Sequence, residues 1–108
     1  MEKQNGDKVS VIKLNNEIEF QENSIVSKQI IKKAAGNITL FAFWEKEELT
    51  KHSSPYDAFV QILEGEMEIE IGDDKFVLSG GDSILMPADI PHGLKALANS
   101  KMLLTMIK

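Results

Sequence analysis

The sequence predicts an all-β domain, a barrel or sandwich with no more than a turn or two of helix. Its 108 residues break into short apolar runs, most of them separated by glycine, proline, asparagine or aspartate. Short strands punctuated by turn residues are typical of sandwiches and barrels. The chain has no linker, repeat or low-complexity run and is long enough to bury one core, so we expect a single domain over residues 1–108.

Two of the expected strands are apolar on both faces, and a third has an ambiguous pattern. Residues 25–33 have a spacing that fits a strand or a short helix, and the surrounding β pattern, with a turn at Gly36-Asn37, favours a strand. Residues 38–44 are apolar on both faces, which predicts a strand covered on both sides. Residues 102–107 have the same character.

A hairpin is the clearest local prediction. Residues 66–71 alternate strictly between glutamate and apolar side chains, so this strand has one charged and one apolar face. Residues 72–74 supply a turn, and residues 75–78 return as the second arm. A further short strand is expected over residues 83–86, ending at Pro87.

Composition excludes several kinds of chemistry. The chain has no cysteine, so it has no disulfide, thiolate nucleophile or thiolate metal site. Its net charge is -5 without a basic patch, which makes it a poor nucleic-acid binder because phosphate contacts dominate that affinity. No run approaches the roughly 20 apolar residues of a membrane span. Residues 1–8 are too polar for a signal peptide, so we expect a cytoplasmic protein without nucleic-acid or membrane partners.

The most informative segment runs from His52 through Ser54 and Ala58 to Gly65. Together with a second motif downstream, it resembles the signature of the cupin superfamily. The first cupin motif reads H-x-H, three or four residues, Glu, six residues and Gly. Here the first histidine and the glycine match, whereas Ser54 occupies the position of the second histidine and Ala58 that of the glutamate.

The second cupin motif is better preserved in this chain. It reads Gly, five residues, Pro-x-Gly, two residues, His, three residues and Asn. Gly81, Pro87 and His92 match it. Asp89 stands in place of the motif's second glycine, and Ala96 in place of the asparagine.

The resemblance implies both a fold and an assembly. It predicts a cupin double-stranded β-helix, a jelly-roll-like barrel with its core at residues 38–107, similar to short single-domain bacterial cupins. Small cupins pair N-terminal strands across a two-fold axis, which covers strand edges that otherwise invite aggregation. We therefore expect a homodimer in which residues 9–33 make the contact, with residues 9–12 or 26–31 supplying the strand.

The resemblance also implies an incomplete metal site. Cupin metal centres combine three histidines with a glutamate, because imidazole and carboxylate suit iron, manganese, zinc, nickel and copper. Side chains two residues apart on a strand share a face, so His52 and Ser54 are expected to point into the barrel. The apolar face of residues 58–62 belongs inside, so Ala58 contributes no oxygen. His52 and His92 remain as candidate metal ligands and catalytic residues.

An alternative register would restore one carboxylate to this site. Pro55 interrupts the strand, and a bulge there would turn Asp57 inward. His52, Asp57 and His92 would then form a two-histidine, one-carboxylate site of the kind found in non-haem iron oxygenases. The apolar face of residues 58–62 favours the unshifted register.

Three functions are compatible with these residues, because this barrel hosts many chemistries. The first is a cupin that binds a small organic ligand in the barrel mouth without a full metal site. The second is a metal-dependent dioxygenase or isomerase in which His52 and His92 hold iron, zinc, nickel or manganese. The third is a metal-free isomerase or epimerase in which a histidine moves a proton. The missing ligands favour the first function. The expected pocket-lining residues are Ser54, Tyr56, Ala58, Met67 and Met86.

Overall fold

Two antiparallel β-sheets make up most of the computed structural model, which describes residues 9–108. The strands are β1 (Ile25–Lys33), β2 (Gly36–Phe43), β3 (Glu48–His52), β4 (Asp57–Glu64), β5 (Glu66–Ile71), β6 (Asp74–Ser79), β7 (Ser83–Met86), β8 (His92–Ala96) and β9 (Ser100–Ile107). Sheet A has the order β1-β2-β9-β4-β7, and sheet B has the order β3-β8-β5-β6. Residues 1–8, on whose polarity the expectation of a cytoplasmic protein rests, lie outside the described residues.

The inner faces of the two sheets enclose the main hydrophobic core, and the predicted all-β barrel is confirmed. Strand β4 alternates between exposed and buried side chains, with Ala58, Val60 and Ile62 at 1%, 0% and 2% exposure. The apolar face of this strand therefore points inward, as its alternation predicted. The buried members of the core are Phe43, Ala58, Val60, Ile62, Met67, Ile69, Leu78, Met86, Leu94, Ala96 and Met102.

Strand β2 is covered on both faces, as its apolar sequence predicted. Phe43 packs into the core between the sheets. Leu40 and Ala42 lie on the opposite face, where they form a second buried cluster with Ile18 from the segment before β1. The chain before β1 thus shields part of the outer face of sheet A. Within residues 9–108, no helix is long and apolar enough to cross a membrane.

The β1–β2 hairpin confirms the strand at residues 25–33 and corrects the position of its turn. The turn lies at Ala34-Ala35, and Gly36 already begins β2. A Cβ atom at Gly36 would overlap the backbone carbonyl of Met106 on β9. The glycine is therefore required by the close approach of a neighbouring strand rather than by the turn, which the local sequence does not reveal.

The hairpin predicted around residue 72 is present. Strand β5 has the predicted bounds, and Gly72 and Asp73 form the turn, so Asp74 begins the return strand one residue earlier than expected. Gly72 has a φ of 59°, a backbone conformation that glycine adopts without steric cost. Strand β7 matches the predicted residues 83–86.

Replacing Phe43 by alanine should destabilise the fold strongly. The side chain is fully buried in the core, and a buried Phe→Ala substitution removes about 3–5 kcal/mol from the free energy of unfolding. Phe76→Ala is the matched control, because Phe76 on β6 is 43% exposed and its loss should cost about 1 kcal/mol or less. Urea unfolding measures both values. Equal losses in the two variants would contradict the assignment of the core.

Candidate functional site

The structure brings the two histidines of the chain into contact. His52, the last residue of β3, and His92, the first residue of β8, are direct cross-strand partners. Their ring centroids lie 4.7 Å apart, with an angle of 58° between the ring planes. His92 is buried, at 6% exposure, whereas His52 is exposed. The pair therefore extends from the interior of the barrel to its surface.

An extra residue in β3 directs His52 toward the interior. Leu49 pairs with Leu94 and His52 with His92, so three steps along β3 match two steps along β8. Without this bulge, Leu49 and His52 would face opposite sides of the sheet, because side chains alternate along a strand. With the bulge, both line the same interior cavity. Bulges near functional sites commonly redirect a side chain in this way.

Gly93 accommodates the bulge from the neighbouring strand. A Cβ atom at this position would lie 3.3 Å from the carbonyl oxygen of Leu49 and 3.3 Å from the backbone nitrogen of Lys51. Both contacts would be tighter than most real Cβ contacts, so a side chain here would push β3 away. The glycine after His92 thereby supports the position of His52.

Both imidazoles are oriented by the backbone two residues earlier. Nδ1 of His52 lies 2.8 Å from the carbonyl oxygen of Thr50, and Nδ1 of His92 lies 3.3 Å from that of Ile90. A carbonyl oxygen only accepts hydrogen bonds, so each contact requires that Nδ1 carries the proton. In a neutral ring, Nε2 then keeps a lone pair, which is available to a hydrogen-bond donor or a metal ion.

Burial lowers the pKa of His92 below its usual value. The main cause is loss of solvent around the ring, which disfavours the charged imidazolium. The hydrogen bond to the Ile90 carbonyl acts in the opposite direction, and the positive charge of a protonated His52 lowers the pKa further. His92 is therefore a neutral imidazole at pH 7.

The histidine pair borders a small cavity between the two sheets. Its volume is about 60 Å³, which leaves room for more than one water molecule. Apart from the two imidazoles, the lining side chains are apolar. The lining residues are Leu49, His52, Ala58, Met86, His92, Leu94, Met102, Leu104 and Met106.

A larger surface groove is a weaker candidate for the site. It has a volume of about 700 Å³ and runs along residues 16–21 and part of β1. Its oppositely charged residues Glu17 and Lys28 form an ion pair with each other, at 2.9 Å. We therefore place the candidate site at the smaller cavity, where groups suited to coordination or proton transfer converge.

The cavity contains some of the predicted lining residues and not others. Ala58 and Met86 line it beside the two histidines. Ser54 lies beyond the end of β3, so the expectation that it shares an inward strand face with His52 is corrected. Its hydroxyl accepts a hydrogen bond from the backbone N–H of Tyr56 at 3.2 Å, and neither residue is part of the cavity lining. Met67 is fully buried in the same core but outside the lining.

Strand β9 contributes to the cavity as well, although the sequence favours a core-filling role for its methionines and the expected pocket-lining residues include none from this strand. Met102, Leu104 and Met106 all line it. Their spacing of two residues was a usable signal, because it places all three on one face of a strand. It was hidden by the apolar residues between them, which made both faces of β9 look equally suitable for the interior.

Asp57 does not enter the cavity, so the alternative site with an inward carboxylate is not formed. Strand β4 pairs with β9 without interruption from Asp57 to Ile62, and no bulge shifts its register there. Asp57 is exposed, and its Oδ1 accepts a hydrogen bond from the backbone N–H of Ala88 at 3.0 Å. This carboxylate secures the loop after β7 instead of serving the histidine pair.

The family of the chain follows from comparison with known proteins. The family model described as "Cupin domain" matches residues 39–108, which is more than half of the chain. The chain belongs to the cupin family. This match covers both motifs and all strands from β3 to β9. No curated protein matches the chain.

Solved structures agree with this membership. A conserved Streptococcus pyogenes protein of unknown function is 35% identical, with a TM-score of 0.88 over 94% of this chain and 89% of that one. A cupin 2 conserved barrel domain protein from Leptotrichia buccalis is 38% identical, with a TM-score of 0.82 over 84% of this chain but only 44% of that one. An RmlC-like cupin from Desulfovibrio desulfuricans is 25% identical, with a TM-score of 0.81 over 93% and 97% of the two chains.

The residues present do not fit the four-ligand metal centre that the cupin motif implies. The glutamate position holds Ala58, which is 1% exposed and has no oxygen in its side chain. The second histidine position holds Ser54, outside the cavity. Across residues 9–108, no group of three or more His, Cys, Asp or Glu side chains is placed to hold an ion. Two imidazoles are fewer than the three protein ligands usual in a catalytic site.

We expect His92 to titrate below the ordinary value of 6.5 in the folded protein. Since unfolding restores the ordinary pKa, the unfolded chain binds more protons just below pH 6.5. The contribution of His92 to stability is therefore present above pH 6.5 and is lost as the pH falls through the folded-state pKa. An NMR titration of the ring, with urea unfolding at several pH values, measures both effects. His92→Gln should flatten the pH dependence, and a folded-state pKa above 6.5 would contradict the assignment.

Proposed function

We propose that this cupin is a binding protein whose barrel holds one small group of its ligand against the His52–His92 pair. One observation carries the proposal: two imidazoles, each with its Nδ1 hydrogen directed at a backbone carbonyl, border an otherwise apolar cavity. A mostly apolar cavity with a few oriented polar groups is the usual form of a small-molecule site. The orientation of the rings makes Nε2 the atom available to a ligand.

The direction of the Nδ1 hydrogens limits the class of ligand. A neutral imidazole that carries its proton on Nδ1 offers only a lone pair at Nε2. The lone pair on Nε2 favours a ligand with a hydroxyl or amino group, which donates hydrogen bonds, or a metal ion. It disfavours a carboxylate, which only accepts hydrogen bonds. Drug-sized ligands need about 300–1,000 Å³, whereas this cavity has about 60 Å³. We infer that only a terminal group of the ligand enters, while the rest lies at the barrel mouth.

The enzyme alternatives have less support from the site. A metal-dependent dioxygenase or isomerase needs a third protein ligand, and neither Ser54 nor Ala58 supplies one. A metal-free isomerase remains the second candidate, because the lowered pKa of His92 keeps the ring available as a neutral base. Catalysis by His92 would require that His92→Gln abolishes turnover while ligand affinity changes little.

Ligand binding should depend on both the histidines and the donor group of the ligand. We expect small polyols and amines to raise the melting temperature at mildly alkaline pH, whereas carboxylates of matched size do not. A ligand at about ten times its Kd adds about 1.4 kcal/mol to the free energy of unfolding, which corresponds to a shift of several degrees. His52→Ala should abolish the shift. Lys51→Ala is the control, because Lys51 neighbours the site without lining the cavity; an unchanged shift in His52→Ala would refute the proposal.

We also propose that two copies of the chain associate through β1. Among residues 9–108, this nine-residue strand pairs only with β2 and forms one edge of sheet A. A long open edge is a template for pairing with another chain. Residues 9–12, one of the two segments expected to supply a strand, form no strand within the described chain, and Val9 and Val11 are each 93% exposed. Across a two-fold axis, this apolar segment of each copy would cover the open edge of the other.

Charging the exposed valines should therefore separate the two copies. We expect the wild-type protein to sediment as a dimer at micromolar concentration and the double variant Val9→Asp/Val11→Asp to sediment as a monomer. Ser10→Asp is the matched control, because in a strand formed by this segment Ser10 would face the side opposite to the two valines. A monomeric wild-type protein would contradict the proposal, as would a double variant that stays dimeric.

A further inference from the structure

The position where cupins carry a glutamate is flanked here by two methionines. Ala58 on β4 pairs with Met86 on β7 at one side and with Met106 on β9 at the other. Direct cross-strand partners share a face of the sheet, with Cβ atoms about 4.5–5.5 Å apart. Since Ala58 is buried against the cavity, both methionines project to the same side, and both line the cavity.

The histidine pair approaches this methionine row from the opposite sheet. His52 and His92 belong to sheet B, whereas Met86 and Met106 belong to sheet A. All four side chains border the same cavity of about 60 Å³. The cavity between the sheets therefore has two imidazoles on one wall and three thioethers on the other, and two of these, from Met86 and Met106, directly flank Ala58.

This combination of donors selects a particular class of metal ion. Carboxylate and carbonyl oxygens suit Mg²⁺, Ca²⁺ and Mn²⁺, and imidazole with carboxylate suits non-haem iron, but thioethers prefer the soft ion Cu(I). The chain lacks the carboxylate at Ala58 and has two sulfur atoms beside it. Both Nδ1 atoms contact a backbone carbonyl oxygen. In known metal sites a hydrogen bond of this kind holds the histidine ligand in its orientation.

We propose that the cavity binds one Cu(I) ion per chain through Nε2 of His52 and His92 and the thioether sulfurs of Met86 and Met106. This inference rests on the proposed function, since it uses the same Nε2 lone pairs of the histidine pair to bind a second class of ligand. It concerns binding of an ion already in its reduced form, so no electron transfer is involved. The site differs from the cupin centre of three histidines and a glutamate in both the identity and the softness of its donors.

Met67 provides an internal control within the same core. Methionine often fills irregular apolar gaps without any further role. Met67 is fully buried in the cluster that contains Met86 and Met102, but it does not line the cavity. A metal site predicts that Met86 and Met106 respond to the ion and that Met67 does not, whereas core filling predicts no difference among them.

The decisive experiment is an anaerobic titration of the untagged wild-type chain, labelled with ¹³C at the methionine methyl groups. Ag(I) serves as a soft probe that does not change oxidation state, and Cu(I) is delivered against a competing colorimetric chelator. We expect saturation at one ion per chain, with shifts at the methyl signals of Met86 and Met106 and at both histidine rings, and no shift at Met67. Unchanged Met86 and Met106 signals in the presence of excess Ag(I) and Cu(I) would overturn the proposal.

Substitutions that keep the core volume test the thioethers separately. Met86→Leu/Met106→Leu retains apolar side chains of similar size, so the fold is expected to tolerate it. We expect at least a tenfold loss of Cu(I) affinity in this variant, since even outer-shell changes cost about 10–100-fold. Met67→Leu should keep the wild-type affinity. Equal Cu(I) affinities in the wild type and the double variant would refute the proposal that the sulfur atoms bind the ion.

The failure of this inference is distinguishable from the failure of the proposed function. If polyols or amines raise the melting temperature in a manner that depends on His52, while Cu(I) and Ag(I) shift no methionine methyl, the copper site is wrong and the binding role stands. If neither class of probe perturbs the histidines of the wild-type chain, both are wrong.

Discussion

The register of β4, uninterrupted from Asp57 to Ile62, is the constraint on which the core and the site both depend. This strand lies between β9 and β7 in sheet A and pairs with both neighbours. Side chains alternate along β4, so a shift of one residue would turn the buried Ala58, Val60 and Ile62 outward. Asp57 and the other side chains of the exposed face would then point into the core. The register that fills the core with apolar side chains is therefore the same register that excludes a carboxylate from the histidine pair.

The orientation of the histidine pair is independent of the residues that are missing from the motif. Each ring is held by a carbonyl two residues earlier in its own segment, and the bulge in β3 turns His52 to the side of the sheet that borders the cavity. Gly93 leaves room for that bulge. The backbone of β3 and β8 thus positions the imidazoles without help from Ser54 or Ala58, which explains how the pair forms in a site that lacks two of the family's ligands.

The apolar lining of the cavity is consistent with the absence of a carboxylate at position 58. Apart from the imidazoles its lining is apolar, so a carboxylate at position 58 would be buried without a charged partner from the protein and would lose its hydration. Alanine avoids that cost. The same lack of solvent lowers the pKa of His92 and keeps its lone pair available. Neutral nitrogen and sulfur donors are compatible with such an environment, because neither carries a charge that needs water.

The sequence by itself determined strands β1, β2, β4 to β7 and β9, the all-β class and the inward face of β4, because alternation and turn residues are local signals. It also identified His52 and His92 through their motif. Only the tertiary structure decided that Met86 and Met106 flank Ala58 and that Ser54 lies outside the cavity lining. It also showed that Gly36 is required by the close approach of β9 rather than by a turn. These facts depend on which strands become neighbours and in which register, and residues far apart in sequence set that pairing jointly through the packing of the core.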